Sequence, residues 1–364
     1  MSKEKKIIIL HDYFLYKGGG ERLIITLAKA LNAEIVTAFI VKDAFNPRDY
    51  GIKTKELVKK SYFSNIPGVR HVTVQLSFLF KTKFLKNYDT VIYSGDVVNA
   101  IYNASNKNNI AYVHTPPRHL YDNYKLRIKQ YKVLKRQIFR VYVLVSRFRF
   151  ERGIKKMDEI VVNSKTIQGR VKKYLDLDSK VVYPPCDVER FKWIDQGDYY
   201  FSWARLYDVK RVDKIVEAFV KMPDKKLIVA SSGPELKKIK KIAEGHNNIK
   251  ILDWITDEEL LELLGKCIAT IYIPINEDFG MSPVESMSAG KPVIGVNEGG
   301  LKETILQDKT GILIRPDFNI NDIVDAVKKI DKEKALQMRV DCEERAKDFS
   351  EEKFIKGVKE VIYK

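Results

Sequence analysis

The sequence predicts an α/β protein with two doubly wound parallel sheets, and three observations predict it. Short apolar runs rich in β-branched residues alternate with amphipathic stretches of helical period along the whole chain. That is the order expected where helices cover both faces of a parallel sheet. The first helical stretch opens on Gly18-Gly19-Gly20, directly after the first apolar run. The 364 residues suffice for two domains of ordinary size, and Pro184-Pro185 with the polar stretch 192–198 breaks the alternation near its middle.

In the first half, strands are expected at 7–13, 34–40, 88–94, 109–114, 158–163 and 181–183, with helices at 20–31 and 165–175. The second half repeats the theme. Strands are expected at 199–204, 226–230, 249–253, 268–273, 292–296 and 311–314, with helices at 210–221, 234–244, 257–265 and 319–330. Ligands of such sheets bind at the carboxyl ends of strands, so a cleft faced by both domains is the expected site.

Hydrophobic content of 45% is ordinary for a soluble globular chain. Four apolar residues after Met-Ser-Lys-Glu-Lys-Lys are too few for a secretory signal, and no apolar run is long enough to span a bilayer. Cys186, Cys267 and Cys342 are scattered and read as reduced thiols, and the five histidines lack metal-ligand spacing. A cytoplasmic protein is expected.

The chain carries a net charge of +17, and residues 125–156 hold twelve Lys/Arg against Glu151 alone, a net +11. Apolar residues recur through that segment at helical spacing. A basic amphipathic helix suits an anionic membrane surface, with Lys132, Lys135, Arg136 and Arg140 as its contacts. A solvated helix face and a nucleic-acid groove are the alternatives. No nucleic-acid motif accompanies the charge, so no nucleic-acid partner is expected.

Glu277 and Glu285 stand eight positions apart in Glu-Asp-Phe-Gly-Met-Ser-Pro-Val-Glu. Residues 282–289 read as a short helix with Ser282 as N-cap, Pro283 at the first position and Gly290 as the stop. Glu277 then sits at a strand's carboxyl end and Glu285 one turn into the helix. The amides of Phe279, Gly280, Met281 and Ser282 lie between them. Such amides suit a phosphate, and the carboxylates accept from sugar hydroxyls. Glu285 is expected on a ribose and Glu277 on a hexose. Arg205, at the end of a strand, and Lys210, expected at the start of the next helix, converge as cations fit for a diphosphate. The glycines at 18–20 let backbone approach a phosphate, with a plain tight turn as the alternative. His114 ends an apolar strand and is expected to project into the cleft.

The Glu277–Glu285 pattern, followed by Gly290-Lys-Pro-Val-Ile and Gly299-Gly300-Leu-Lys-Glu303, resembles the donor-site signature of family 4 glycosyltransferases, retaining GT-B enzymes that use nucleotide sugars. His11-Asp-Tyr-Phe-Leu-Tyr-Lys-Gly-Gly-Gly-Glu21 is similar to that family's N-terminal signature. His114-Thr-Pro-Pro-Arg118 looks like a stretch of bacterial mannosyltransferases that build surface polysaccharides such as lipopolysaccharide. The resemblance implies catalytic roles for His114, Glu277, Arg205 and Lys210. It implies donor contacts at Gly18, Gly19, Gly20, Gly233, Trp254, Ile255, Phe279, Gly280, Met281, Ser282 and Glu285. Arg118 and Tyr121 become acceptor candidates.

The expected layout is an acceptor-side domain at 1–185, a nucleotide-sugar domain at 186–345, and a last helix in 346–364 that returns to the first domain. The cations and helix amides are expected to act without a divalent metal or other cofactor. The implied reaction moves a hexose, best matched by mannose from GDP-mannose, to a lipid-linked or polysaccharide acceptor at the inner membrane face. A UDP-sugar donor, a nucleotide-sugar epimerase and a basic nucleic-acid-binding protein are the alternatives.

Overall fold

The computed structural model describes residues 5–58, 67–104 and 108–364. The chain forms two compact units, Met1–Tyr183 with Ile355–Lys364, and Pro184–Phe354. The helix Glu351–Ile362 contributes residues to both.

The first unit holds strands β1 (Ile7–His11), β2 (Glu34–Thr37), β3 (Thr54–Glu56), β4 (Thr90–Ser94), β5 (Asn108–Val113), β6 (Glu159–Val162) and β7 (Lys180–Val181). They form one parallel sheet in the order β3-β2-β1-β4-β5-β6-β7. Strands β1 and β4 are buried at every residue, which is why they read as unbroken apolar runs. Ile8, Leu10, Val91 and Tyr93 join Phe78 and Leu85 in one core cluster, and Ala111, Val113 and Val162 join Phe150 and Ile154 in another. Each such aliphatic side chain contributes about 1.5–3 kcal/mol on full burial.

The second unit holds β8 (Tyr199–Ser202), β9 (Lys226–Ala230), β10 (Ile249–Leu252), β11 (Thr270–Tyr272), β12 (Val293–Val296) and β13 (Gly311–Ile314). Its parallel order is β10-β9-β8-β11-β12-β13. The strand order reverses between β1 and β4 in the first sheet and between β8 and β11 in the second. Crevices at the carboxyl ends open at such switch points.

Two expectations about local structure are corrected. The helix expected from 210 begins at Val212, because Arg211 adopts φ 53° and ends the short 3-10 turn Asp208–Lys210. Lys210 therefore lies in that turn. The helix after β11 runs Met281–Ser288, and Gly280, at φ 95°, occupies its N-cap position in place of Ser282. Ser282 sits inside the first turn, where its carbonyl accepts from Ser286 Oγ at 2.8 Å. Gly290, at φ 66°, does terminate the helix.

The basic segment forms the helices Tyr124–Lys129 and Val133–Ile154. The long helix buries Val143, Ser146, Phe150, Gly153 and Ile154. Its opposite face leaves Leu134, Ile138, Val141, Val145 and Phe148 exposed, Leu134 by 75% and Phe148 by 59%. Their spacing of three and four residues makes a continuous apolar stripe. Lys132, Lys135 and Arg140 are exposed beside it. Arg136 departs from expectation: it is partly buried, and its Nη2 donates to the Tyr131 carbonyl at 3.3 Å, folding back over the helix start. Among the described residues, no helix is long and apolar enough to cross a membrane.

Candidate functional site

A cluster of charged side chains in the second unit stands at the β8/β11 switch point. Lys210 Nζ donates to Glu277 Oε2 at 2.6 Å and to the Tyr272 hydroxyl at 2.7 Å. Tyr272 closes β11 and is 8% exposed. Burial first, then the charge and hydrogen bond of Glu277 and the charge of Glu285, hold its hydroxyl protonated well above the usual tyrosine range; Arg205 opposes them. The same balance places Arg205, Glu277 and Glu285 within electrostatic reach of one hydroxyl. Lys210 and Glu277, assigned separate tasks from the sequence, are bonded to each other here.

Backbone geometry explains how the loops are held. Gly233, at φ 153°, lies against Leu206, and a Cβ there would stand 2.5 Å from the Leu206 carbonyl oxygen. Leu206 N–H donates to the Ser232 carbonyl at 3.0 Å, and Glu235 N–H to the Leu206 carbonyl at 3.0 Å. The turn at 232–235 thus fixes the segment carrying Arg205. Gly299 and Gly300 pack on the backbone of 277–279 so closely that a Cβ on either would collide with it, and Gly300 N–H donates to the Glu277 carbonyl at 2.8 Å. The amino end of the helix Met281–Ser288 follows that loop directly. Trp254, 77% exposed, and Ile255 lie between β10 and the helix Asp257–Lys266, where Thr256 and Glu259 form a capping box.

Arg211, absent from the sequence-derived candidates, is the clamp of this site. Its guanidinium donates to the carbonyls of Ile273 at 2.6 Å and Pro274 at 2.9 Å and pairs with Glu298 at 2.7 Å. It holds the chain on the approach to Glu277. The adjacent basic pair Lys210-Arg211 was its only signal in sequence, and pattern gives the two residues no separate tasks.

The first unit has a cavity of about 330 Å³ at the β1/β4 switch point. It is lined by His11, the last residue of β1, and Asp12 after it, by Gly95 and Asp96 after β4, and by His114 after β5, with Gly20, Glu21, His71 and His119. Four of the chain's five histidines therefore meet in one place. Ser94 Oγ lies 3.1 Å from His11 Nδ1 and 2.8 Å from His114 Nε2. The hydroxyl has one proton, so at most one of the two rings accepts from Ser94 and at least one donates to it. Burial holds His11 down at about 4, and burial with the neighbouring His11 holds His114 at about 3, so both are neutral near pH 7. Burial chiefly raises the Asp12 carboxyl to about 6.

Gly18 is the N-cap of the helix Gly19–Ala30, and a Cβ on Gly20 would lie 3.8 Å from His114 Cε1. The glycine loop and His114 thus meet, as strand-end positions allow. Arg118 and Tyr121 do not line the cavity. Arg118 pairs with Asp122 at 3.0 Å, while Tyr121 donates to Glu151 at 3.1 Å and stacks on Tyr174. His119, passed over in the sequence, lines the cavity instead and lies 3.1 Å from the Tyr142 hydroxyl of the long helix. Among the described residues, no group of three or more His, Cys, Asp or Glu is placed to hold a metal ion.

Residues 187–349 match the family described as "Glycosyl transferases group 1". The alpha-1,3/1,6-mannosyltransferase ALG2 of Dictyostelium discoideum is 37% identical over 121 residues, 32% of this chain and 28% of that protein. An uncharacterised glycosyltransferase of Methanocaldococcus jannaschii is 28% identical over 221 residues, 59% of this chain and 62% of its own length. These matches span less than two thirds of either relative. Among solved structures, Anabaena HepE in complex with UDP and glucose superimposes with a TM-score of 0.76 at 17% identity, over 99% of both chains. Sucrose-phosphate synthase from Thermosynechococcus elongatus superimposes with a TM-score of 0.77 at 16% identity, over 99% of this chain and 98% of that one. At such identities the likeness shows the fold, which is GT-B.

Proposed function

We propose, from the premise that residues 187–349 are a group 1 glycosyltransferase domain in a chain of GT-B fold, that this protein is a retaining glycosyltransferase. It moves a hexose, read as mannose from GDP-mannose, to a lipid-linked or polysaccharide acceptor at the inner face of the cell membrane. The observation that carries the reading is the Lys210–Glu277–Tyr272 cluster, with Arg205 and Glu285 beside it and a helix amino end following. Cations there meet a diphosphate, and carboxylates accept from hydroxyls of ribose and hexose.

Arg205, Lys210 and the amides of 279–282 hold the diphosphate, Glu285 the ribose, Glu277 the hexose, and the backbone at 253–256 the base. A bound diphosphate draws Lys210 away from Glu277, which releases that carboxylate for the sugar. The bond between the anomeric carbon and the bridging phosphate oxygen breaks, the diphosphate leaving with that oxygen, as the acceptor oxygen bonds the carbon on the same face. The acceptor proton passes to a leaving phosphate oxygen. The protein's part is orientation and charge stabilisation. In the first unit, His114 is the candidate catalytic residue and the cavity around it takes the acceptor. The exposed stripe of Val133–Ile154, with its flanking cations, is the membrane-docking face.

Mannose is favoured by the relatives whose names carry mannosyl transfer, including a human GDP-Man-dependent alpha-1,2-mannosyltransferase at 25% identity over 207 residues. A UDP-sugar is the second reading, favoured by HepE, solved with UDP-glucose. A panel of GDP- and UDP-sugars, scored by thermal shift and slow donor hydrolysis, tests both. GDP-mannose is expected to give the largest shift and a slow release of mannose. A larger response to a UDP-sugar reassigns the base, and no response to any nucleotide sugar removes the enzyme reading.

A further inference from the structure

The first-unit cavity differs in charge from the chain around it. The protein has 65 Lys and Arg and a net +17, yet neither residue type is among the described residues lining this cavity. Its ionisable lining is Asp12, Glu21, Asp96, four histidines and the tyrosines Tyr13, Tyr93 and Tyr112. The cation within the lining is His71, whose Nε2 lies 2.6 Å from Asp96 Oδ2; from outside it, Arg170 Nη1 donates to the lining Thr115 Oγ1 at 3.3 Å. Burial alone would lower the His71 pKa, but the hydrogen bond and charge of Asp96 outweigh it and raise it. That positive charge is therefore neutralised in place by its partner.

Asp96 is a built feature of the wall. Gln75 Nε2 donates to the same Oδ2 at 3.1 Å, so among the described residues both side-chain donors fall on one oxygen and Oδ1 is left toward other donors. Gly95, at φ 84°, lets the chain turn there, and a Cβ on it would stand 2.7 Å from the Asp12 carboxylate. Asp12 accepts the Tyr13 N–H at 2.9 Å and feels the charge of Asp96. His119 packs edge-on to His71 at 4.8 Å between ring centroids. Two carboxylates close together in a partly desolvated wall accept hydrogen bonds from hydroxyls. With Asp96 balanced by His71, the Asp12 and Glu21 carboxylates leave the lining net negative, and that charge repels an anion. The volume is at the lower end of small-molecule sites, which run to about 300–1,000 Å³, and fits a single ring.

We propose that this cavity binds an uncharged, hydroxyl-bearing ring, the terminal sugar or polyol of the acceptor, and that Asp96, held by His71 and Gln75, orients it and rejects rings bearing phosphate or carboxylate. The term acceptor rests on the glycosyltransferase reading; the binding preference does not.

Saturation-transfer NMR on the full chain without nucleotide tests it, using methyl α-mannoside and methyl α-glucoside against mannose 6-phosphate and glucuronate. At least one neutral glycoside is expected to bind at least tenfold more tightly than its charged counterpart. Asp96→Asn and His71→Gln are expected to weaken the neutral ligand at least tenfold. Asp96→Asn also narrows the neutral-to-anionic ratio, which a merely structural lesion, lowering both together, would not do. If either variant fails to fold, the wild-type preference decides. Equal or tighter binding of the anionic rings, no binding of neutral rings, or neutral binding indifferent to both substitutions overturns the proposal. Neutral-ring binding alongside a silent nucleotide-sugar panel would retain this site and discard the transferase reading, and the reverse pattern would do the opposite.

Discussion

Lys210 shows how one side chain carries a site. Its ammonium is mostly buried and satisfies both Glu277 and Tyr272. Removing it leaves a partly buried carboxylate and phenol facing each other without their cation, and any diphosphate without a point charge. Lys210→Met is therefore expected to lower turnover by 10²- to 10³-fold, on the order of what a lost transition-state contact costs. Lys210→Arg should rescue only in part, because a longer side chain with its donors confined to one plane cannot reproduce the compact ammonium's geometry toward both partners. Steady-state kinetics on the donor that wins the panel, with circular dichroism as a folding control, checks this. Unchanged turnover in Lys210→Met would remove the residue from the site. The neighbouring Arg211 serves another purpose, since its three hydrogen-bonding partners lie on the β11 exit and on Glu298.

At the scale of elements, the helix Val133–Ile154 makes the strongest claim, because it exposes Leu134, Ile138, Val141, Val145 and Phe148 in one stripe. Exposed cations flank that stripe. Each basic residue near an anionic bilayer contributes about 1 kcal/mol. Reversing Lys132, Lys135 and Arg140 to Glu should therefore cut partitioning onto phosphatidylserine vesicles by ~100-fold or more. Ile138→Asp with Phe148→Asp should abolish it even at low salt, since the apolar face supplies the other half of the attachment. Co-sedimentation that is equal on neutral and anionic vesicles, or absent on both, would refute the membrane role. A dimer dissociated by Ile138→Asp in sedimentation velocity would give the stripe to a second copy.

The same scale shows what the sequence made legible. Strands such as β4, β9 and β13 lie where apolar runs placed them, because strands buried on both faces leave an unbroken signal. Edge strand β3 was missed, since Thr54-Lys55-Glu56 carries no apolar residue and its pairing with β2 is tertiary. Gly280 and Arg211 moved two helix starts through positive φ, which pattern does not reveal. The histidine cluster was illegible for another reason. Its members come from three separate segments, at 11, at 71, and at 114 and 119 on one loop, and only the strand order brings them together.

At the scale of the whole molecule, this clustering makes the two units respond differently to acid. Folded His11 and His114 are held at about 4 and about 3 by burial, and His119 at about 4 by burial and then by His71. Their ordinary value is near 6.5, so the unfolded chain takes up protons that the folded unit refuses between about 6.5 and 4. Stability is lost as pH falls through that window, by on the order of 3 kcal/mol for a group such as His11. Two groups oppose this. Asp12, raised to about 6, gains stability as pH falls below 6, and the raised His71 contributes fully below 6.5 and loses its contribution as pH rises through its folded value. Asp96, lowered by His71, gives up its share only below the ordinary carboxylate range. Three depressed histidines outweigh these, so the first unit should weaken on acidification. The second unit carries only His246 of the five. Hydrogen exchange corrected for intrinsic rates, compared at pH 7 and pH 5, should show protection falling in β1, β4 and β5 while β8, β9 and β12 hold theirs. A parallel loss in both sheets, or a gain in the first, would mean that the histidines titrate freely and are not kept neutral by burial.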